Sequence, residues 1–232
     1  MQATHEPMDH PLHTSAGPRV QTDEEQAYYA LNERVYRWFA PVYDLVTAPL
    51  AGLRREVAEL VGAGAGMRIL DVATGSGAQA FAFATRGAEV VGIDLSEAML
   101  RIARRKNRHP RLTFHRADAV ALPFPNASFD VACISFALHE MPRSVRNAAM
   151  MELVRVIKPG GSVVVVDYAL PRHPLSRSIV FHVVKLYETA SYIDFVHSDV
   201  RELLTTAGFA AHEGLPRLLG AAKVWTGLKP AG

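Results

Sequence analysis

Leu70-Asp71-Val72-Ala73-Thr74-Gly75-Ser76-Gly77-Ala78-Gln79-Ala80 is the stretch on which the fold turns. An apolar run ends in an acid, two glycines follow, and an alanine-rich segment suited to a helix begins. Glycine lets the backbone approach a ligand closely, and a helix N-terminus offers unpaired N–H groups. Working outward, short apolar runs at 67–72, 89–94, 112–116, 129–135 and 162–167 read as strands. Helical patterns at 78–86, 96–108 and 143–157 separate them, the second with Ser96 as N-cap. This alternation predicts right-handed βαβ units and an α/β fold with a mostly parallel, Rossmann-like sheet. A helix over 199–207 precedes two runs, 210–215 and 223–228, which only a tight loop separates and which should pair antiparallel. The expected sheet has seven strands, the last antiparallel.

The flanks are of another kind. Residues 1–22 lack periodicity and read as a disordered tail, with His5, His10 and His13 as solvated residues. Residues 23–60 read as a helical lid interrupted at Pro41 and Pro49, and 170–198 as a helical insertion over the carboxyl edge of the sheet. With 232 residues, the chain is expected to form one core over 23–232 rather than two domains. A net charge of +2 is far from the dense basic surface of a nucleic-acid binder. Cys133 is the only cysteine, so an internal disulfide and a thiolate metal cage are excluded and a cytoplasmic location is expected. No run is long enough to span a bilayer, so any membrane contact would be peripheral.

Gly75-x-Gly77-x-x-Ala80 alone satisfies a dinucleotide fingerprint. Asp94, in Val91-Gly92-Ile93-Asp94-Leu95-Ser96, lies 17 positions beyond Gly77, where a carboxylate can accept both hydroxyls of a ribose. Adenosine binding follows, with a nicotinamide cofactor and S-adenosylmethionine both open. Asp71, four residues before Gly75, favours an ammonium group there and would repel a pyrophosphate. Asp118, in Arg116-Ala117-Asp118-Ala119, is placed to accept from an adenine amine. Acids at three consecutive strand ends suit a cationic sulfonium cofactor.

On these residues the sequence resembles the class I methyltransferases, in their ubiquinone/menaquinone-biosynthesis C-methyltransferase-like branch. The resemblance runs over residues 36–229. It implies that Ser76 and its flanking glycines line the methionine end of S-adenosylmethionine, and that Asp94 holds the ribose. Asp118 and Ala119 would bracket the adenine, and Ser135 would lie beside the methyl group. Tyr36-Arg37-Trp38-Phe39-Ala40-Pro41-Val42-Tyr43-Asp44 is similar to the family's aromatic-Ala-Tyr-Asp element, in which Tyr43 covers the cofactor. The candidate cofactor-binding residues are thus Tyr43, Asp71, Gly75, Ser76, Gly77, Asp94, Leu95, Asp118, Ala119 and Ser135, with no metal.

Where the quinone methyltransferases usually carry an Arg-Asn pair, this chain has His139-Glu140. A carbon or oxygen acceptor must lose a proton, and His139, after the fourth strand, is the candidate catalytic base. Tyr192, Asp194 and His197 are secondary candidates. The cluster Arg101, Arg104, Arg105, Lys106 and Arg108 reads as a solvated face at a helix C-terminus. A small-molecule methyl acceptor, lipid-like, quinone or aromatic, is the expected partner, and nucleic acid is not. A nicotinamide oxidoreductase and a catalytically silent cofactor-binding subunit are the competing readings. The first lacks a Tyr-x-x-x-Lys pair, and the single cysteine disfavours arsenite methylation.

Overall fold

The computed structural model describes residues 21–171, 178 and 190–232. His5, His10 and His13 of the expected disordered tail, and most of the 170–198 insertion, lie outside those residues. The chain order is α1 (Asp23–Thr47), a 3-10 turn (Ala48–Leu50), α2 (Ala51–Leu60), β1 (Arg68–Val72), α3 (Ala78–Thr85), β2 (Glu89–Asp94), α4 (Glu97–Lys106) and β3 (Leu112–Arg116). β4 (Phe129–Ser135), α5 (Arg143–Val156) and β5 (Ile157–Tyr168) follow, then α6 (Ala190–His197), α7 (Val200–Ala207), β6 (Ala210–Ala211), β7 (Leu215–Arg217) and β8 (Ala222–Leu228).

The sheet runs β3-β2-β1-β4-β5-β8-β6, with the short β7 also paired to β8. The first five strands are parallel, and β8 is antiparallel to β5. The Rossmann-like α/β architecture with a final antiparallel strand is therefore the one found. Among the described residues the strands number eight rather than seven. The run expected over 210–215 is split into β6 and β7, both of which pair antiparallel with β8.

Strand alternation sorts the core into two layers. Leu70, Val72, Ala132, Ile134, Val163 and Val165 face α5, α6 and α7, through Met150, Leu153, Phe195 and Leu204. Ile69, Val131, Cys133, Val164 and Val166 face α2, α3 and α4, through Val57, Phe83 and Leu100. Order reverses between β1 and β4, so the connections leaving these two neighbours diverge and open a crevice at their carboxyl ends.

α1 lies over that crevice, pinned at both ends. Thr22 and Glu25 form a capping box, and the Ser144 hydroxyl donates to Glu25 Oε1 at 2.6 Å. At the far end, Ser76 Oγ donates to Asp44 Oδ1 at 2.5 Å and Lys106 Nζ to Asp44 Oδ2 at 2.7 Å. Burial opposes ionisation of Asp44, yet these two donors hold its carboxyl below the usual range. The break expected at Pro41 is absent: α1 runs through it and ends before Ala48. Pro41 and Arg37 both lie on the exposed side, where water can take the carbonyl that the proline leaves without a donor. No described helix is long and apolar enough to cross a membrane.

Candidate active site

The Gly-containing turn joins β1 to α3 in left-handed backbone. Ala73, Gly75 and Gly77 have φ of 53°, 56° and 85°. A Cβ on Gly77 would stand 2.8 Å from Phe114 Cζ, so only glycine closes this turn. Ala73 and Phe136 (φ 52°) are non-glycine residues in the same region, one after β1 and one after β4. Both line the crevice, and backbone strain of this kind is stored where a ligand is to be approached closely.

The cleft encloses about 620 Å³, including the part open to solvent. Its sheet side presents Gly75, Asp94, Leu95, Asp118 and Ala119, and its cover presents Tyr28, Asn32, Tyr36 and Tyr43 from α1. Asp94 is well held: Oδ2 accepts from the Gly75 N–H at 2.7 Å and Oδ1 from the Ser96 N–H at 2.8 Å. Burial pushes its carboxyl above the usual range, against those backbone donors. Three carboxylates, Asp94, Asp118 and Glu140, line the described cleft, and no Lys, Arg or His does. Such a lining favours a cation and repels a pyrophosphate.

Of the sequence-predicted cofactor residues, Tyr43, Gly75, Asp94, Leu95, Asp118 and Ala119 come together around this cleft. Asp71, Ser76, Gly77 and Ser135 are not among its lining residues. Asp71 is fully buried beneath the turn, its Oδ2 accepting from the Thr74 hydroxyl at 2.5 Å while Oδ1 has no hydrogen-bond partner. Burial raises its carboxyl to about 7, with Thr74 opposing. The Ser76 hydroxyl is spent on Asp44 and so fastens the lid. Tyr28, Asn32, Tyr36 and Glu140 are not among the candidate site residues, although Tyr28 and Tyr36 belong to the aromatics of the expected lid. The 28, 32, 36, 43 spacing of one helical face carries the signal that finds the first three.

His139 does not line the described cleft. Its side chain is 3% exposed, with Nδ1 2.6 Å from Asp167 Oδ1 and the ring edge-on to Tyr168 at 4.7 Å. Tyr192 is buried in the same cluster, Asp194 pairs with Arg146 at 3.2 Å, and His197 bonds the Ile193 carbonyl. In the basic cluster, Arg104 pairs with Glu97 at 2.6 Å and Lys106 holds the lid.

Arg146 is itself buried and donates to the Leu138 and Met141 carbonyls at 3.2 and 3.0 Å, fixing the turn that carries His139 and Glu140. Arg146→Ala strands the Met141 carbonyl, leaves the Leu138 carbonyl with the Met141 N–H alone, and empties the space over Phe195. It is expected to lower stability by about 2–4 kcal/mol in urea unfolding. A loss under 1 kcal/mol would show that the turn holds itself.

Comparison with known proteins agrees with this geometry. A family described as "Methyltransferase domain" matches residues 69–161. The chain is 36% identical over 187 residues to a demethylmenaquinone methyltransferase of Clavibacter sepedonicus, covering 72% of this chain and 76% of that one. It is 40% identical over 145 residues to one from Renibacterium salmoninarum, covering 60% of each. Among solved structures, phosphoethanolamine N-methyltransferase 2 of Haemonchus contortus in complex with S-adenosyl-L-methionine superposes with a TM-score of 0.66 at 18% identity, over 88% of this chain and 60% of that one. That similarity concerns the fold.

Proposed function

The chain belongs to the class I S-adenosylmethionine-dependent methyltransferases, in their ubiquinone/menaquinone branch, and we propose that it methylates a hydroxylated, quinol-like aromatic ring carrying an apolar chain. The observation that carries the cofactor side of this reading is the cleft lining, with three carboxylates and no basic side chain among the described residues. Bound there, S-adenosylmethionine would supply a methyl group on a cationic sulfur.

The residues present fit it. Asp94 would accept from the ribose hydroxyls, Asp118 from the adenine amine, and Gly75 leaves room for the methionine end beneath Tyr43. A Cβ on Gly75 would stand 3.3 Å from Met99 Cε and 3.7 Å from Tyr43 Cε1. Burial pushes the Tyr43 phenol up to about 12, so it covers the site as a neutral ring.

The acceptor side is apolar and aromatic, with Phe136, Ala137, Met141 and Val145 on the sheet side and Tyr28 and Tyr36 above. Alignment of an acceptor and exclusion of water are what such walls contribute. Bordering its cleft-facing side, α1 exposes Leu31, Val35, Trp38, Val42 and Leu45. That strip suits an acceptor that partitions into lipid and a peripheral membrane contact. The buried, lone Cys133 suits a reducing cytoplasm.

Titration calorimetry with S-adenosylmethionine, S-adenosylhomocysteine and NADH, followed by methyl transfer to a short-chain demethylmenaquinol, tests the reading. Micromolar binding of the first two with turnover is expected. Binding of NADH alone would restore the oxidoreductase alternative, and cofactor binding without turnover on any ring acceptor would favour a silent subunit.

A further inference from the structure

Two of the three cleft carboxylates stand where ribose and adenine would be held, and the third, Glu140, stands apart from both. It lies on the turn after β4, beside Ala137 and Met141, at the acceptor walls. Its Oε1 accepts from the Tyr36 hydroxyl at 2.5 Å, which ties it to the lid helix. Behind it stands a fixed imidazole, with His139 Nε2 4.0 Å from Glu140 Oε1. His139 Nδ1 donates to Asp167 Oδ1 at 2.6 Å, since a carboxylate can only accept, and this sets the ring so that Nε2 faces Glu140. His139 is therefore screened from the described cleft, while Glu140 faces it.

We propose that Glu140 binds the acidic hydroxyl of the methyl acceptor and takes its proton, with Tyr36, His139 and Asp167 as positioning residues. This rests on the reading that the acceptor is a hydroxylated aromatic ring. The hydroxyl O–H bond breaks, its electron pair stays on oxygen, and the Glu140 carboxylate becomes the acid. Charge pushed into the ring makes the carbon beside the hydroxyl the nucleophile. Its bond to the incoming methyl forms as the C–S pair goes to sulfur. The dienone so formed loses its ring proton to water while Glu140 returns its own to the oxygen. One proton is released per turnover, as the overall exchange of C–H for C–CH3 requires. A carboxylate has lone pairs enough to serve Tyr36 and an acceptor together.

Two readouts test this, with a short-chain demethylmenaquinol and its di-O-methyl ether as probes under anaerobic conditions. In turnover, Glu140→Gln is expected to lower kcat by about a hundredfold or more, with the Kd for S-adenosylhomocysteine within twofold of wild type. Glu140→Asp should recover part of the rate. In binding, with S-adenosylhomocysteine present and no turnover, wild type should prefer the free hydroquinone over the ether by about tenfold or more, and Glu140→Gln should lose that preference.

A kcat for Glu140→Gln within threefold of wild type overturns the assignment and leaves methyl transfer standing. A hydroxyl preference that persists in the variant does the same. If wild type itself shows no turnover, the acceptor reading falls, while the binding preference still decides Glu140. Wild type that binds neither probe overturns both.

Discussion

Asp94→Ala is expected to weaken binding of S-adenosylhomocysteine by about a hundredfold or more, with far-ultraviolet circular dichroism unchanged. Two effects add. The carboxylate loses its hydrogen bonds to the ribose, each to a charged group and each worth about 1.5–3 kcal/mol. The same carboxylate also accepts from the Gly75 and Ser96 amides, so its removal frees the turn that lies under the methionine end. Asp94→Asn separates them, because its amide oxygen keeps one backbone partner and its nitrogen cannot accept. The asparagine variant should therefore keep part of the stability of the turn and still lose much of the affinity. Calorimetric Kd values within threefold of wild type for Asp94→Ala would remove Asp94 from the cofactor site and, with it, the reason for placing adenosine at the β2 edge.

The legibility of this architecture follows from where its signals are local. β2, β3 and β4 have the bounds read from the sequence because each apolar run stops at a polar residue, Asp94, Arg116 or Ser135. The Gly75-Ser76-Gly77 turn is equally local, since its positive φ values call for glycine. The Gly75, Asp94, Asp118 and Ala119 side of the cleft was legible through such signals. The Glu140 side was not. His139 and Asp167 are 28 positions apart and meet only because β4 and β5 pair in parallel with Ser135 opposite Val166, which brings the turn after β4 level with the end of β5. The Tyr36–Glu140 contact spans 104 positions and depends on how the lid lies over the sheet. Pro41 misled for a related reason: its cost to a helix depends on whether water reaches the Arg37 carbonyl, which is a tertiary fact.

Asp71→Asn should make the protein more stable and the cofactor weaker, and the pH dependence of each effect identifies the cause. Burial lifts the Asp71 carboxyl from 3.8 to about 7. Below pH 4 the group is protonated in folded and unfolded chains alike and contributes nothing. As pH rises through the interval, the unfolded chain ionises first while the folded chain holds its proton, so stability falls. Above pH 7 the folded chain carries the full penalty, on the order of 4 kcal/mol for about three pH units. Asparagine removes the charge and keeps an acceptor for Thr74. Its amide hydrogens, placed where Oδ1 has no partner, take back part of the gain. Urea unfolding should show wild type and variant close together at pH 4, and the variant ahead by about 1–3 kcal/mol at pH 8.

The unfavourable charge has a use if the ligand is a cation. An ionised Asp71 beneath the Gly75 turn is stabilised by a sulfonium and an ammonium above it, so binding should expel its proton near pH 6. Calorimetry in buffers of different ionisation enthalpy should record that release in wild type and lose it in Asp71→Asn, with Kd raised about tenfold. Asp94, half-buried and also raised, is the other proton source, and release that survives in Asp71→Asn would assign it there. Equal stability of the two proteins at pH 8 would mean that Asp71 is ionised without cost, and the electrostatic account of the first turn would fail with it.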